Sequence, residues 1–311
     1  RKSALDEYIK EGLADYEELD IKRHEDGSIT GVPLFASRSP YIKMGKQFGS
    51  EVSTEIFLPL VFDYKLNQNM ESFEKLMTLF DYYHDQGWAE GSGLGTPDHE
   101  TNRSSGYFVA VYLMREELKE TGRFDREIGA MNWYTDFGKV YGEYKVDYTE
   151  TTADEMRTHF LYRLLYAMAM EDSPEKVQAI NAYREWVESA LELNPNFAGT
   201  IKPDYTGFHH RGIYVSAYAP HGYHMAAMIN YLLHDTVFEL NQPSQENLKG
   251  ALTALDIMTK DYNLPQSLTG RFPKQTGIVS EVLHSRNYNP DLKKLVKGVM
   301  VESYLVPGRQ D

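Results

Sequence analysis

The chain has 311 residues, of which 41% are hydrophobic and 25% are charged, a composition typical of one large or two ordinary globular domains. It contains no cysteine, which excludes disulfides, thiolate nucleophiles and zinc–cysteine sites. A net charge of −14 argues against general nucleic-acid binding, and no apolar run approaches the roughly 18–20 residues that would span a membrane.

Helical periodicity predominates along the chain. Apolar residues at 5–19 and again at 70–83 recur at a spacing of three and four, which places them on one face of a helix. Further predicted helices, in chain order, cover residues 105–118, 126–141, 153–170, 174–193, 221–234 and 245–260. Strand signals are weak, and the best candidate is the apolar run at residues 53–62 (STEIFLPLVF). The pattern predicts an all-α fold of paired helices.

The ends of one helix are well marked. Asp172 and Ser173 offer a capping side chain directly before Pro174, a residue suited to a first helical turn. Asn194 and Pro195 form the matching stop signal. Because helices joined by so short a polar break usually lie antiparallel, we expect helical hairpins.

Long loops rich in glycine and aromatic residues separate the helices, at residues 87–106, 196–219 and 263–277. Loops of this length in a compact domain usually carry function. We expect these three to gather on one side of a single α-helical domain.

The second of these loops concentrates the chemistry. Residues 208–224 (FHHRGIYVSAYAPHGYH) contain four histidines, three tyrosines and one arginine. Pro220 predicts a helix start, so His209, His210, Tyr214 and Tyr218 lie on or just before a helix N-terminus, an end that favours anions. Histidine exchanges protons near neutral pH, and tyrosine can accept or donate one. This equipment suits β-elimination of a uronic-acid polymer, which needs no cofactor in principle.

The other two loops offer fewer groups. In the glycine-rich loop, Trp88 is a candidate for stacking on a sugar, while His99, Asn102 and Arg103 are candidate polar contacts. In the third loop, Arg271 lies between Gly270 and Phe272 as a candidate anion contact. An ordinary connector and a solvent-exposed arginine remain alternatives for these two loops.

A metal site is not indicated. His221 and His224 are three residues apart at a predicted helix start, a spacing that could bind a metal, but no carboxylate stands beside them. We therefore expect no required cofactor, although a divalent cation is possible.

Four blocks together resemble a known family: DQGWAEGSGLGTPDH (85–99), DYTGFHHRGIYVSAY (204–218), YLLHDTVF (231–238) and NLPQSLTGRFP (263–273). Their order and spacing are similar to those of chondroitin ABC lyases, relatives of the chondroitin AC and hyaluronate lyases. The resemblance covers residues 55 to 275. It implies an incomplete α/α toroid built from helical hairpins, with an N-terminal helix and linker at residues 1–55 and the toroid at 56–311. The flanking β-sandwich domains of the family are absent from this sequence, which begins at Arg1, so we expect a piece of a longer protein.

The resemblance also implies residue roles. His210, six residues after Asp204, matches the catalytic histidine, with His209 as a second possible register. Tyr218 matches the catalytic tyrosine and Arg271 the catalytic arginine. His99 falls where ABC-type enzymes place a histidine facing the uronate carboxylate. The AC and hyaluronate branch uses asparagine for that contact, which makes Asn102 the reserve candidate. We take His209, Tyr214, Trp88 and Arg103 as further substrate contacts. The family's catalytic glutamate belongs to a later domain that this sequence lacks.

The expected function is therefore eliminative cleavage of chondroitin and dermatan sulfate by a periplasmic or secreted bacterial enzyme. Its partners would be the sulfated glycosaminoglycan and further domains of the same protein, with no nucleic acid and no membrane span. Two alternatives remain: a glycosaminoglycan-binding module without catalysis, and a hydrolase on an α/α toroid, which would use paired carboxylates.

Overall fold

The structure, a computed structural model, describes residues 2–94, 100–101, 103–142, 152–260 and 263–269. The chain divides into two compact units. One contains the residues up to Phe137 together with Met168–Met170, and the other contains Gly138–Ala167 and the described residues from Glu171 onward. The boundary expected between residues 55 and 56 stays a prediction.

The first unit is mainly helical. Among its described residues, the main helices are α1 (Lys2–Glu18), a π-helical segment (Phe48–Phe57), α2 (Leu58–Asn67), α3 (Met70–Asp85), α4 (Ser105–Leu113), α5 (Arg115–Glu120) and α6 (Phe124–Thr135). Helix α2 packs against both α1 and α3, and α4 packs against the π-helical segment. An alanine at Gly106 would bring its Cβ within 1.8 Å of the Ser53 carbonyl oxygen, so α4 approaches this closely because residue 106 has no side chain.

The strand candidate at residues 53–62 is wrong, because this run continues from the π-helical segment into α2. Val52, Ile56, Leu58, Leu60 and Val61 are all fully or almost fully buried. A run that is buried on every side shows no alternation of apolar and polar residues. The sequence of this run therefore could not distinguish a strand from a helix.

In the described part of the second unit lie four long helices, α7 (Ala153–Ala169, whose last turn reaches into the first unit), α8 (Pro174–Ala190), α9 (Ala219–Leu233) and α10 (Gln242–Ile257). The predicted start of α8 is confirmed, since the Ser173 hydroxyl accepts a 3.2 Å hydrogen bond from the Lys176 amide and Pro174 follows it. Asn241 caps α10 in the same way, accepting from the Ser244 amide at 2.9 Å. Helices α9 and α10 pack together.

Two predicted helices are interrupted. The helix expected at 105–118 breaks at Met114 into α4 and α5, and the helix expected at 126–141 ends at Thr135. Asp136 ends that helix because its backbone is left-handed, with φ of 47°, and a short 3₁₀ turn at Phe137–Tyr141 follows.

Strands are short and few among the described residues. Antiparallel β1 (Lys22–Arg23) and β2 (Ile29–Thr30), and parallel β3 (Leu34–Phe35) and β4 (Lys46–Gln47), belong to the first unit. A third pair, antiparallel β5 (Phe208–His209) and β6 (Gly212–Ile213), lies in the second unit. Of the helices described, none is both long enough and apolar enough to cross a bilayer.

Candidate active site

The β5–β6 hairpin presents the two adjacent histidines. His209 pairs with Gly212, which leaves His210 and Arg211 as a two-residue turn with φ of 48° and 63°. Positive φ at both central residues is the type I′ arrangement, which normally takes Asn and Gly because other side chains are strained there. Bulky residues held in such a conformation are typical of functional sites.

Tyr218 occupies the N-cap position of α9, so the predicted helix start near Pro220 is confirmed. Its backbone, with φ of 59° and ψ of −77°, lies in a sparsely populated region for a residue with a side chain. Gly207 packs directly against this helix start, since a Cβ on it would lie 2.7 Å from the Ala219 Cβ. The loop therefore reaches the N-terminus of α9 through a backbone contact that only glycine permits.

Four aromatic rings meet at this helix start. His209 stacks on Tyr218 with ring centroids 4.3 Å apart and an interplanar angle of 27°. His210 stands edge-on to Tyr218 at 5.2 Å, and Tyr214 stands edge-on to Tyr218 at 5.2 Å and to His210 at 5.8 Å. The residues predicted as catalytic histidine and catalytic tyrosine are thus neighbours, within reach of one sugar unit.

The two histidines differ in exposure. The His210 side chain is exposed, whereas His209 is 7% exposed and faces inward. Tyr214 and Tyr218 are half-buried. This geometry does not support the predicted substrate contact by His209, because the His209 ring lies beneath Tyr218 and points to a carboxylate. It favours His210 as the histidine that meets a ligand.

That carboxylate belongs to Asp154, in the first turn of α7. Asp154 Oδ2 lies 3.3 Å from His209 Nε2, an ion-pair distance at which the nitrogen makes no hydrogen bond of good geometry. The Arg157 Nε donates to Asp154 Oδ1 at 2.6 Å, and the guanidinium lies over the Tyr218 ring, 5.7 Å from its centroid. Partial burial opposes ionisation of Asp154, but His209 and Arg157 outweigh it and lower the pKa of Asp154 to about 2.

The donor atoms of Asp154, His209 and His210 all lie within 4.8 Å of one another, which is the spacing of a possible metal site in the described part of the chain. Two imidazoles and a carboxylate suit a zinc-type ion. The Arg157 guanidinium already pairs with the carboxylate, however, so a divalent cation would have to share it with a positive charge.

His221 and His224 do not join that group. Desolvation by the surrounding protein, followed by the nearby Arg157 charge, lowers the pKa of the His221 imidazole, although this ring keeps contact with solvent. Burial lowers the pKa of His224. Neither ring belongs to the group formed by Asp154, His209 and His210, in which His210 is the exposed histidine.

The candidates of the glycine-rich loop belong to the first unit. Trp88 is 1% exposed and stacks on Tyr134 at 3.9 Å, within a cluster that also contains Tyr83 and Tyr107. The geometry does not support its predicted stacking on a sugar, because the indole is a core residue of its unit. Arg103 is half-buried and donates to the Ser37 hydroxyl at 3.2 Å. His99 and Asn102 lie outside the described residues.

Arg271 also lies outside the described residues, but the chain leading to it is anchored. The buried Ser216 hydroxyl donates to the Thr269 carbonyl at 2.7 Å. Ser216 is two residues before Tyr218, and Thr269 is two residues before Arg271.

Asp154 and Arg157 were missed by the sequence reasoning. They stand three residues apart at the start of a predicted helix, which is a common surface ion pair and gave no functional signal. Their link to His209 bridges more than fifty residues of sequence and becomes visible only in the folded chain.

Comparisons with known proteins identify the family and the fold of the chain. The family described as "Lyase, catalytic" matches residues 2–289. Among curated proteins, the chain is 27% identical over 271 residues to a chondroitin sulfate ABC exolyase of Bacteroides thetaiotaomicron, covering 82% of this chain and 26% of that protein. It is 24% identical over 288 residues to a chondroitin sulfate ABC endolyase of Proteus vulgaris, covering 87% and 28%. The chain thus spans little more than a quarter of the length of these relatives.

Solved structures share the fold at low identity. A Streptomyces coelicolor A3 chondroitin AC lyase in complex with chondroitin sulphate superposes with a TM-score of 0.70 at 10% identity, covering 95% of this chain and 39% of that one. A Paenibacillus xanthan lyase gives 0.68 at 12%, covering 98% and 29%. The expected fold class, an all-α incomplete α/α toroid, is confirmed. The resemblance to the chondroitin lyases is likewise confirmed at the level of the family, and this chain belongs to the lyase catalytic-domain family.

Proposed function

We propose that this chain carries the catalytic domain of an eliminative polysaccharide lyase that cleaves chondroitin sulfate and dermatan sulfate at the hexosaminyl–uronate linkage. The observation that carries the proposal is the pairing of exposed His210 with half-buried Tyr218, 5.2 Å apart at the start of α9. Both groups can exchange a proton with the same sugar ring.

The reaction is a β-elimination at the uronate. A base removes the C5 proton. The electron pair of the broken C5–H bond forms the C4–C5 double bond as the C4–oxygen bond breaks. The departing glycosidic oxygen takes a proton from an acid. Neutralising the uronate carboxylate stabilises the negative charge that develops when the C5 proton leaves.

Each residue has a role in this scheme. For glucuronate, Tyr218 takes the C5 proton and returns a proton to the leaving oxygen. The C5 proton of iduronate points to the opposite face, so His210 is the base there and Tyr218 the acid. In our proposal Arg271 stabilises the departing side, and His99, with Asn102 in reserve, contacts the carboxylate. A glutamate from a further domain completes the site.

Local charge supports an anionic ligand despite the net charge of −14. Lys202 and Arg211 belong to the loop that forms the cluster, whereas the charge of Arg157 is balanced by its ion pair with Asp154. The N-terminus of α9 adds a partial positive charge beside Tyr218. These cations offset the acidic surface at the place where a uronate or sulfate would lie.

The names of the curated relatives support chondroitin sulfate as the substrate class. We include dermatan sulfate among the substrates because it contains iduronate. In our proposal His210 removes the C5 proton of iduronate, which Tyr218 alone would not remove. A polymer of this size does not cross a membrane, so we place the enzyme in the periplasm or outside the cell.

The test is the ultraviolet absorbance of the unsaturated uronate, which only elimination produces. This chain, and a longer one that extends to the length of its relatives, are each mixed with chondroitin sulfate, dermatan sulfate, hyaluronan, heparin and xanthan. We expect the absorbance to rise with the first two polymers. Binding of sulfated polymer without any rise would indicate a binding module, and saturated product ends would indicate a hydrolase. A rise with xanthan alone would keep the chemistry and change the substrate.

A further inference from the structure

The Tyr218 ring is held by three residues that the proposed mechanism leaves without a role. Asp154, Arg157 and His209 are connected to one another and to the Tyr218 ring, and we name these three residues the Tyr218 clamp. Arg157 contacts Asp154, Asp154 faces His209, His209 stacks on Tyr218, and Arg157 lies over Tyr218.

We propose that Arg157, anchored by Asp154, is a positioning residue that fixes the Tyr218 phenol for proton transfer. This inference rests on the proposed function. Arg157 is not itself a catalytic group in this scheme, because it acts on Tyr218 and not on the substrate.

The anchor is rigid for physical reasons. Asp154 and Arg157 lie three residues apart on α7, so their side chains share one face of the helix. The carboxylate lies in the first turn, where the helix dipole favours negative charge. One oxygen of Asp154 binds Arg157 and the other faces buried His209, so the same carboxylate orients both partners of Tyr218.

Tyr218 requires such support. Its backbone conformation is one that a residue with a side chain adopts only when the surroundings impose it. A guanidinium over the face of a phenol attracts the ring, and a stacked imidazole restricts its tilt. Misplacing a reacting group by about 1 Å can cost about 100-fold in rate, so this restriction bears directly on catalysis.

A competing role for Arg157 is direct binding of the substrate. Its side chain is 28% exposed, enough to reach a uronate carboxylate or a sulfate at the surface. The two roles predict different kinetics. A positioning residue changes kcat, whereas a residue that binds ground state and transition state alike changes KM.

The variants are Arg157→Gln, which removes the charge, and Arg157→Lys, which keeps it. The matched control is Arg184→Gln on α8, since Arg184 is 27% exposed and pairs with Glu188 within its own helix. Elimination kinetics on chondroitin sulfate give kcat and KM in the longest active chain. In parallel, tyrosines carrying ¹³C at Cζ are followed by NMR, with the Tyr218 signal assigned from Tyr218→Phe.

We expect Arg157→Gln to lower kcat about 10- to 100-fold with KM within about twofold of wild type, and to shift or broaden the Tyr218 signal. Arg157→Lys should lose less than Arg157→Gln, and Arg184→Gln should match wild type in both measurements. A tenfold rise in KM at unchanged kcat would overturn the inference in favour of substrate binding. An unchanged kcat and Tyr218 signal would overturn it altogether.

The NMR measurement also separates this inference from the proposed function. If the wild-type chain eliminates none of the polymers, the proposed function fails, and the Tyr218 signal alone then decides the clamp. A signal that Arg157→Gln leaves unchanged would mean that Arg157 does not position Tyr218.

Discussion

The imidazole of His209 stacks on the phenol of Tyr218 at a centroid distance of 4.3 Å, while the adjacent His210 stands edge-on to the same phenol at 5.2 Å. The turn explains this division, because His209 is the last residue of β5 whereas His210 has a left-handed backbone that turns the chain away from the strand. One histidine therefore lies beneath the tyrosine and the other is exposed at its edge. We therefore assign His209 a structural role and propose a chemical role for His210 alone.

Replacing Tyr218 by phenylalanine tests the chemical role of the hydroxyl. The ring and its stacking on His209 remain, so we expect stability to stay within about 0.5 kcal/mol of wild type. We expect elimination on both chondroitin and dermatan sulfate to fall at least about 100-fold, the usual contribution of a positioned proton donor or acceptor. Absorbance of the unsaturated product measures the rate.

The control for this variant is Tyr231→Phe, near the C-terminal end of the same helix α9. It removes one tyrosine hydroxyl away from the ring cluster and should leave the rate unchanged. If Tyr218→Phe retained more than about a tenth of the wild-type rate, Tyr218 would not be the proton carrier.

His210→Ala tests the idea of two bases. The exposed imidazole serves iduronate in the proposed scheme, whereas Tyr218 serves glucuronate. We therefore expect the rate on dermatan sulfate to fall at least about tenfold further than the rate on chondroitin sulfate. Equal losses on the two polymers would remove the two-base scheme, and His234→Ala at the other end of α9 serves as the control.

Much of this site was predictable from local sequence. The cap at Ser173, the start of α9 near Pro220 and the His–Tyr loop before it follow from turn and capping preferences of neighbouring residues. The ion-pair partner of His209 was not predictable in this way. Asp154 is distant in sequence, and an aspartate–arginine pair in a first helical turn resembles many surface pairs.

The sequence also did not predict which aromatic side chains are buried. Trp88 in a glycine-rich loop has the pattern of an exposed sugar platform, yet it lies in an aromatic core with Tyr83, Tyr107 and Tyr134. The apolar run that continues into α2 likewise showed neither a helical nor a strand periodicity, because its residues are buried on every side. Local sequence predicts where helices begin, but tertiary packing decides which aromatic rings reach the surface.

Asp154→Asn tests the charge of the clamp through stability. The pKa of Asp154 is about 2 in the folded chain, against 3.8 for an ordinary aspartate, so the unfolded chain binds the proton more readily. The ionised carboxylate therefore stabilises the folded state above about pH 4, and this contribution disappears as pH falls toward 2. We expect Asp154→Asn to lower the free energy of unfolding by about 1–2 kcal/mol at pH 7, allowing for its partial exposure.

Urea unfolding of wild type and variant across pH 2–7 measures this difference. The gap between them should close between about pH 4 and pH 2, because the wild-type carboxylate then becomes neutral as well. Asp172→Asn is the control, since Asp172 forms an ion pair with Lys176 but is 97% exposed. A gap that persists at pH 2 would mean that Asp154 acts through packing and not through charge.

Gly207 and Gly212 form a matched pair for the backbone contact beneath the site. A Cβ on Gly207 would lie 2.7 Å from the Ala219 Cβ, whereas a Cβ on Gly212 would meet no atom within 4 Å. Gly207→Ala should therefore push the hairpin away from the start of α9 and destabilise the chain by about 1–3 kcal/mol, with loss of elimination as Tyr218 shifts. Gly212→Ala should change neither property, because space is open and its backbone is not left-handed. Thermal unfolding and product absorbance report the two effects, and similar behaviour of the two variants would show that the contact at Gly207 does not fix the helix start.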